Sequence, residues 1–134
     1  MNQQALVEVK NIARHFDVSA PWLERVIYRR PKAYVRAVDD VSFTLYKGET
    51  LALVGESGCG KSTVARLLTG LYGLSQGSIK FDGQELSSMS KQQSQQMRRS
   101  LQMIFQDPYA SLNPRWRVGH IITEPLRTHS TLSK

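Results

Sequence analysis

Residues Gly55-Glu56-Ser57-Gly58-Cys59-Gly60-Lys61-Ser62 satisfy the pattern G-x-x-x-x-G-K-[ST] in full, the spacing of a phosphate-binding loop. Glycines let consecutive backbone N–H groups turn inward as an anion nest, where a Cβ would obstruct the approach of phosphate. A helix starting at the end of the loop adds unpaired N–H donors and the positive end of its dipole. Lys61 then reaches the β- and γ-phosphates as a point charge, and the Ser62 hydroxyl can ligate Mg²⁺. Thr63, one residue deeper, can hydrogen-bond the α-phosphate. The plain alternative is a glycine-rich turn with an incidental lysine. Against it stand the flanks: a short apolar run leads in and a helical period leads out. These residues imply a nucleoside triphosphate site.

The elements that must position the loop can be read from periodicity. Thr50 to Val54 is a nearly all-apolar run, which suits a strand buried on both faces of a parallel sheet. After the loop, Val64, Leu67, Leu68 and Leu71 fall at i, i+3, i+4 and i+7, one apolar helix face closed near Gly70 to Gly73. Upstream, Leu6 to Ala13 reads as a first strand and Tyr34 to Leu45 as a second, with Val35, Ala37, Val41, Phe43 and Leu45 alternating. Between them, Pro21 and Pro31 bracket what reads as a basic, aromatic-containing loop. Gly77 to Phe81 predicts a strand entering an Asp82-Gly83 hairpin turn. Ser90 to Arg99 predicts a polar helix with Ser90 as N-cap, and Leu101 to Phe105 another strand. Val118 to about Glu124 predicts a short helix limited by Pro125.

Composition sets outer bounds. The chain has 134 residues, 40% hydrophobic and 22% charged, an ordinary globular balance of one domain's length rather than a disordered one. No apolar run approaches the ~18 residues that cross a bilayer. The opening MNQQALVEVK carries no basic-then-apolar export pattern. A lone Cys59 excludes an internal disulfide and suits a reducing compartment. Inside the phosphate loop it reads as a small residue tolerated where only backbone meets phosphate. A thiol at a helix N-terminus is also a candidate for alkylation that nucleotide would block. His15, His120 and His129 read as surface or structural residues.

The net charge is +7, which admits phosphate, nucleic acid or a membrane surface as partner. Over half of it comes from residues 22–36, where Arg25, Arg29, Arg30, Lys32 and Arg36 oppose only Glu24. Trp22, Tyr28 and Tyr34 interleave, so nucleic-acid binding is one reading. A solvated basic loop is favoured, because no nucleic-acid fold signature accompanies the patch.

A phosphate loop alone does not separate kinases, GTPases, helicases and transport ATPases. Gln106 ends the expected strand 101–105, followed by Asp107-Pro108. There its amide oxygen could face Mg²⁺ or attacking water, or the residue could simply terminate a strand. Together, GESGCGKST at 55–63 and MIFQDPYASLNPR at 103–115 resemble the nucleotide-binding subunits of ABC transporters, above all the dipeptide and oligopeptide importer branch. AVDDVSFTLYKGETLALVGESGCGKST, the GSIKFDGQEL hairpin and VGHIITEPL extend the resemblance over nearly the whole chain.

The resemblance implies an α/β P-loop NTPase of the ABC ATPase type. A RecA-like core holding strands 50–54 and 101–105 would carry an antiparallel β region at residues 1–50 and 77–86. It makes Gln106 the Q-loop glutamine and, with Lys61, a catalytic residue; Ser62 and Gln106 hold Mg²⁺. It implies an aromatic ring stacked on adenine, with Phe16 preferred and Tyr34 second. It implies an ATPase that drives import, peripheral on the cytoplasmic face of the inner membrane, with permease subunits, a head-to-tail second ATPase subunit and, indirectly, a substrate-binding protein as partners. The family also uses a Walker B strand, an LSGGQ-type signature and a switch histidine, none of which is in these 134 residues. The chain therefore reads as the N-terminal part of one nucleotide-binding domain, stopping before the helical subdomain, and is expected not to hydrolyse ATP alone. Nucleic-acid-associated P-loop protein and non-catalytic fragment are the competing readings.

Overall fold

The computed structural model describes residues 4–29, 31–107 and 112–129. Residues 1–3, Arg30, the residues 108–111 that carry the middle of the FQDPYASLNPR stretch, and residues 130–134 lie outside the described residues. The frame is a four-stranded antiparallel sheet in the order β2-β1-β3-β4. Its strands are β1 (Ala5–Asp17), β2 (Tyr34–Tyr46), β3 (Gln76–Phe81) and β4 (Gln84–Glu85). Among the described residues four α-helices accompany it: α1 (Trp22–Tyr28), α2 (Lys61–Leu68), α3 (Lys91–Ser100) and α4 (Val118–His129).

The β1–β2 ladder has four irregularities, and the three after Val9 set which side chains face the core. Val9 opposes Phe43 and Ile12 opposes Val41, so β1 carries one extra residue there. Asn11 occupies it with φ 47, and its amide Nδ2 donates to Asp40 Oδ1 at 2.7 Å. On the facing strand, Asp40 (φ 52) absorbs a second extra residue, and Ala37 a third, between the Arg14–Val38 and His15–Arg36 pairs. Because strand side chains alternate with period two, each insertion flips the phase. The buried side chain of this stretch is accordingly Val38 and not Ala37, a shift that simple alternation did not foresee.

The core forms where α2 lies on one face of the sheet. Val64 and Leu67 of α2 meet Val7, Val9 and Ile12 of β1, Val38 of β2 and Ile79 of β3. Ile12, Leu67 and Ile79 are the largest fully buried side chains. Burying each is worth roughly 1.5–3 kcal/mol relative to exposure, and α2 is held to the sheet by this contact rather than by its eight residues of helix propensity. Tyr46 to Glu49 close the turn after β2, where Glu49 N–H donates to the Tyr46 carbonyl at 3.2 Å.

Local signals place two further elements as expected. Asp82 and Gly83 both take positive φ, 48° and 78°, the combination of the primed turn that matches strand twist. Ser90 caps α3: its hydroxyl accepts from Gln93 N–H at 3.3 Å. The Gln93 side chain returns the bond to Ser90 N–H at 2.8 Å, completing a capping box.

Elsewhere the structure corrects the reading. The segment between Pro21 and Pro31 is not all loop. It contains α1, begun by Arg25 N–H donating to the Pro21 carbonyl at 3.1 Å and ended by Arg29 in a left-handed cap. The prolines sit outside the helix, where a fixed φ and missing N–H do no harm. Nor does Pro125 stop α4, which continues to His129. Proline has no N–H to donate to the Ile121 carbonyl, and Thr128 Oγ1 donates to Glu124 Oε1 at 3.2 Å across the same turn. Val118, Ile121, Ile122, Pro125 and Leu126 keep one helical stripe through the proline.

Strands 50–54 and 101–105 are the largest departure. Neither segment joins a ladder among the described residues. Leu51, Leu53, Val54, Ile104 and Phe105 are exposed. A parallel strand is held by neighbours on both edges and helices on both faces. Among the described residues the sheet is the antiparallel one, so these apolar runs have the composition of central strands without the pairing.

Candidate phosphate-binding site

The loop between Val54 and α2 wraps around the lysine that follows it. Lys61 Nζ donates to the carbonyls of Gly55 at 2.7 Å and Glu56 at 2.6 Å, and lies 3.5 Å from Cys59 Sγ. The side chain thus ties the first two residues of the loop to the start of α2. An ammonium has three donors, and two strong carbonyl bonds fix its position with the charge still unneutralised.

Gly60 is the N-cap of α2, with φ 98°. A Cβ at this position would run into the carbonyl oxygen of Ala37, the residue the ladder irregularity sets out of line. The sheet therefore seats the helix N-terminus directly against β2, and only a glycine permits that approach. The first helical bond runs from Val64 N–H to the Gly60 carbonyl at 2.9 Å. The N–H groups of Lys61, Ser62 and Thr63 precede it, and helix geometry gives them no internal acceptor.

A cavity of about 410 Å³ opens over these donors, lined by Ala37, Ser57, Gly58, Gly60, Lys61, Ser62, Thr63 and Gln106. Its lining contains a lysine and no carboxylate. With the positive end of the α2 dipole, the cavity is built for an anion. Gln106, far in sequence, stands on the same wall as Ser62. It also borders an adjoining cavity of about 710 Å³ with Lys61, Ser62, Leu51, Leu53 and Phe105. Three chemistries converge: backbone N–H donors, an ammonium, and neutral oxygens from Ser62 and Gln106 suited to a hard cation. Among the described residues no cluster of histidine, cysteine and carboxylate groups is arranged for a metal; a cation here would take its remaining ligands from phosphate and water.

Of the loop residues, Gly55, Glu56 and Cys59 do not line the cavity. Gly55 and Glu56 serve through their carbonyls. Cys59 is exposed and faces Gly55, where a Cβ would lie 2.7 Å from its sulfur.

The two candidate stacking rings stand apart from the loop. Phe16 meets Tyr72 edge-on, ring centroids 5.5 Å apart at 78°. The Arg14 guanidinium covers a Phe16 face at 4.8 Å and donates to the Gly73 carbonyl at 2.9 Å. Arg66 Nη1 donates to the Tyr72 hydroxyl at 3.1 Å, tying this cluster to α2. Phe16 pairs across the ladder with Val35, two residues from cavity-lining Ala37. Tyr34 pairs with Asp17 at the ladder's end and is exposed. Ala37, which lines the cavity, carried no sequence signal for this site. An extra residue in a strand is visible only once the register is known.

Comparison with known proteins follows the same lines. The family model described as ABC transporter matches residues 38–131. A probable peptide ABC transporter ATP-binding protein of Sinorhizobium fredii is 45% identical over 97% of this chain. The di/tripeptide transport ATP-binding protein DppF of Pseudomonas aeruginosa is 47% identical over 98%. The oligopeptide transport ATP-binding protein AppF of Bacillus subtilis is 44% identical over 96%. The chain spans 35%, 39% and 38% of the length of these three relatives. Among solved structures, a dimeric ATP-binding cassette in a post-hydrolysis state bound to ADP and Pi shares the fold. Its TM-score is 0.70 at 19% identity, over 96% of this chain and 50% of that one. The phosphate loop, the seat of α2 on the sheet and the match over 38–131 agree: this chain belongs to the ABC transporter family.

Proposed function

We propose that the chain carries the phosphate-binding part of an ATP-binding, energy-coupling subunit of an ABC importer, with di- or oligopeptides as the cargo class. The observation that carries the reading is the convergence of Lys61, Ser62, the α2 N-terminus and Gln106 on one cavity. In this reading the chain is the N-terminal part of a single nucleotide-binding domain. The backbone donors and Lys61 hold the β- and γ-phosphates. The Ser62 hydroxyl and the Gln106 amide oxygen would hold Mg²⁺, which supplies charge neutralisation across the phosphates. Phe16 is the ring for the base, since its ladder partner Val35 lies two residues from Ala37 on the cavity wall. The relatives' names carry the cargo class: peptide, oligopeptide and di/tripeptide transport.

In this reading the described residues of the cavity wall bind and polarise the triphosphate, and a carboxylate to activate water, absent from that lining, would come from the rest of the complete subunit. In the complete subunit, hydrolysis would be coupled to permease subunits and a second ATPase subunit at the cytoplasmic membrane face. No helix among the described residues is long and apolar enough to cross a membrane.

Two experiments test this. Titration of the chain with a fluorescent ATP analogue should show Mg²⁺-dependent binding that ATP competes away. Ser62→Ala and Gln106→Ala should each remove the Mg²⁺-dependent part and leave Mg²⁺-free binding intact. Binding indifferent to Mg²⁺ in the native chain would overturn the assignment of those two oxygens. For the cargo, the complete subunit in proteoliposomes with its permease should import a labelled dipeptide, and Lys61→Ala should stop uptake.

A further inference from the structure

The described residues of the segment between β1 and β2 do not line the phosphate site, yet they present an exposed apolar helix face. Helix α1 buries none of its residues. Trp22, Leu23, Val26 and Ile27 are 73%, 53%, 68% and 64% exposed. At ~100° per residue these four fall within an arc of roughly 140° on one side of the helix. Arg25 stands half-buried beside that arc, and Arg29 and Lys32 are exposed where α1 ends.

The helix is presented on an ordered base. Val18 N–H donates to the Ala33 carbonyl at 3.0 Å. Ala33 N–H donates to Ser19 Oγ at 2.9 Å, and Ser19 N–H to Asp17 Oδ1 at 2.9 Å. Docking α1 onto a surface would therefore cost little additional ordering.

We propose that α1 with its basic end is a docking element for an anionic phospholipid surface. The aliphatic and indole side chains would enter the boundary between headgroups and acyl chains, and Arg29 and Lys32 would meet the lipid phosphates. Single-stranded nucleic acid suits the same charge, but it is bound by ring stacking and leaves Leu23, Val26 and Ile27 in water. A lipid interface covers all four apolar side chains at once. Indole is the ring that favours that depth. The inference is independent of the nucleotide reading, since neither Lys61 nor the loop 55–62 contributes to it.

Trp22 reports the test directly. In the chain carrying Trp116→Phe, Trp22 is the sole indole, because the sequence holds two tryptophans. Vesicles of phosphatidylcholine with phosphatidylglycerol should shift its emission to the blue, and brominated acyl chains should quench it. Pure phosphatidylcholine should do neither. Arg29→Gln with Lys32→Gln should weaken binding roughly twenty-five-fold, at about fivefold per cation near the surface. Leu23→Ser with Ile27→Ser should abolish the blue shift while residual binding stays salt-sensitive. Lys61→Ala should bind vesicles like the native chain even where nucleotide binding is lost. An unshifted Trp22 on anionic vesicles would overturn the proposal. So would equal binding to pure phosphatidylcholine, or oligonucleotide binding that outcompetes vesicles.

Discussion

Replacing Gly60 by alanine probes the contact on which the whole site rests. Two costs are separable. The backbone at Gly60 has φ 98° and ψ 0°, left-handed space that costs an L-residue about 1–2 kcal/mol. The new Cβ would also collide with the Ala37 carbonyl, and forced overpacking costs about 1–3 kcal/mol. Alanine recovers about 0.4–1 kcal/mol by stiffening the unfolded chain. Gly60→Ala should therefore lose about 1–4.5 kcal/mol, centred near 3. Gly58 is the built-in control: its φ is also positive, 85°, but an added Cβ there meets nothing within 4 Å. Gly58→Ala should lose only about 1 kcal/mol, the conformational part less the entropic return. Urea unfolding followed at the helix signal measures both, and a fluorescent ATP analogue measures the consequence at the site. Gly60→Ala should also weaken nucleotide binding more than Gly58→Ala, because relief of the collision moves the α2 N-terminus off β2. Equal losses for the two variants would refute the close approach to Ala37 as the reason for glycine at 60.

Lys61→Ala removes both the phosphate charge and the two carbonyl bonds that close the loop. Hydrogen bonds to charged groups are worth about 1.5–3 kcal/mol, so affinity for the ATP analogue by calorimetry should fall by roughly ten- to over a hundredfold. Ser90→Ala removes the hydroxyl that accepts from Gln93 N–H, leaves the backbone bond of residue 90 to the Gln93 side chain available, and should destabilise α3 by about 1 kcal/mol, read as faster amide exchange confined to residues 91–94. Asp17 has its carboxyl held below the ordinary value, first by the Ser19 hydrogen bonds and then by Lys32 and Arg25. A depressed folded pKa stabilises above the unfolded value and is lost as pH falls through the folded one. A carbon-13 titration of Asp17 should thus have its midpoint below that of a peptide aspartate, and Ser19→Ala should raise it. Cys59, exposed and 3.5 Å from Lys61 Nζ, should be alkylated slowly in the presence of ATP and faster without it; equal rates would remove it from the nucleotide's neighbourhood.

What the sequence alone determined are the features whose physics closes within a few residues. The Asp82-Gly83 turn and the Ser90–Gln93 box are each set by backbone conformations of adjacent residues or by side chains reaching three residues along the chain. They needed no partner and appear where the spacing placed them. The apolar period of α2 was equally plain, because Val64 and Leu67 face the core from one helix. The features that only tertiary structure decided depend on pairing. Whether Thr50–Val54 is a strand turns on what lies beside it, since a central strand's hydrogen bonds belong to its neighbours; its apolar composition fits a strand, and no ladder forms among the described residues. Phe16 reads as a free ring until Tyr72 arrives from elsewhere in the fold to meet it, beside Arg14 two residues back on the same strand. Gly60 reads as one glycine of a motif, and Ala37 as an ordinary strand residue. The extra residue in β2 brings the Ala37 carbonyl against the helix N-terminus, because register, unlike turn chemistry, is a property of two strands at once.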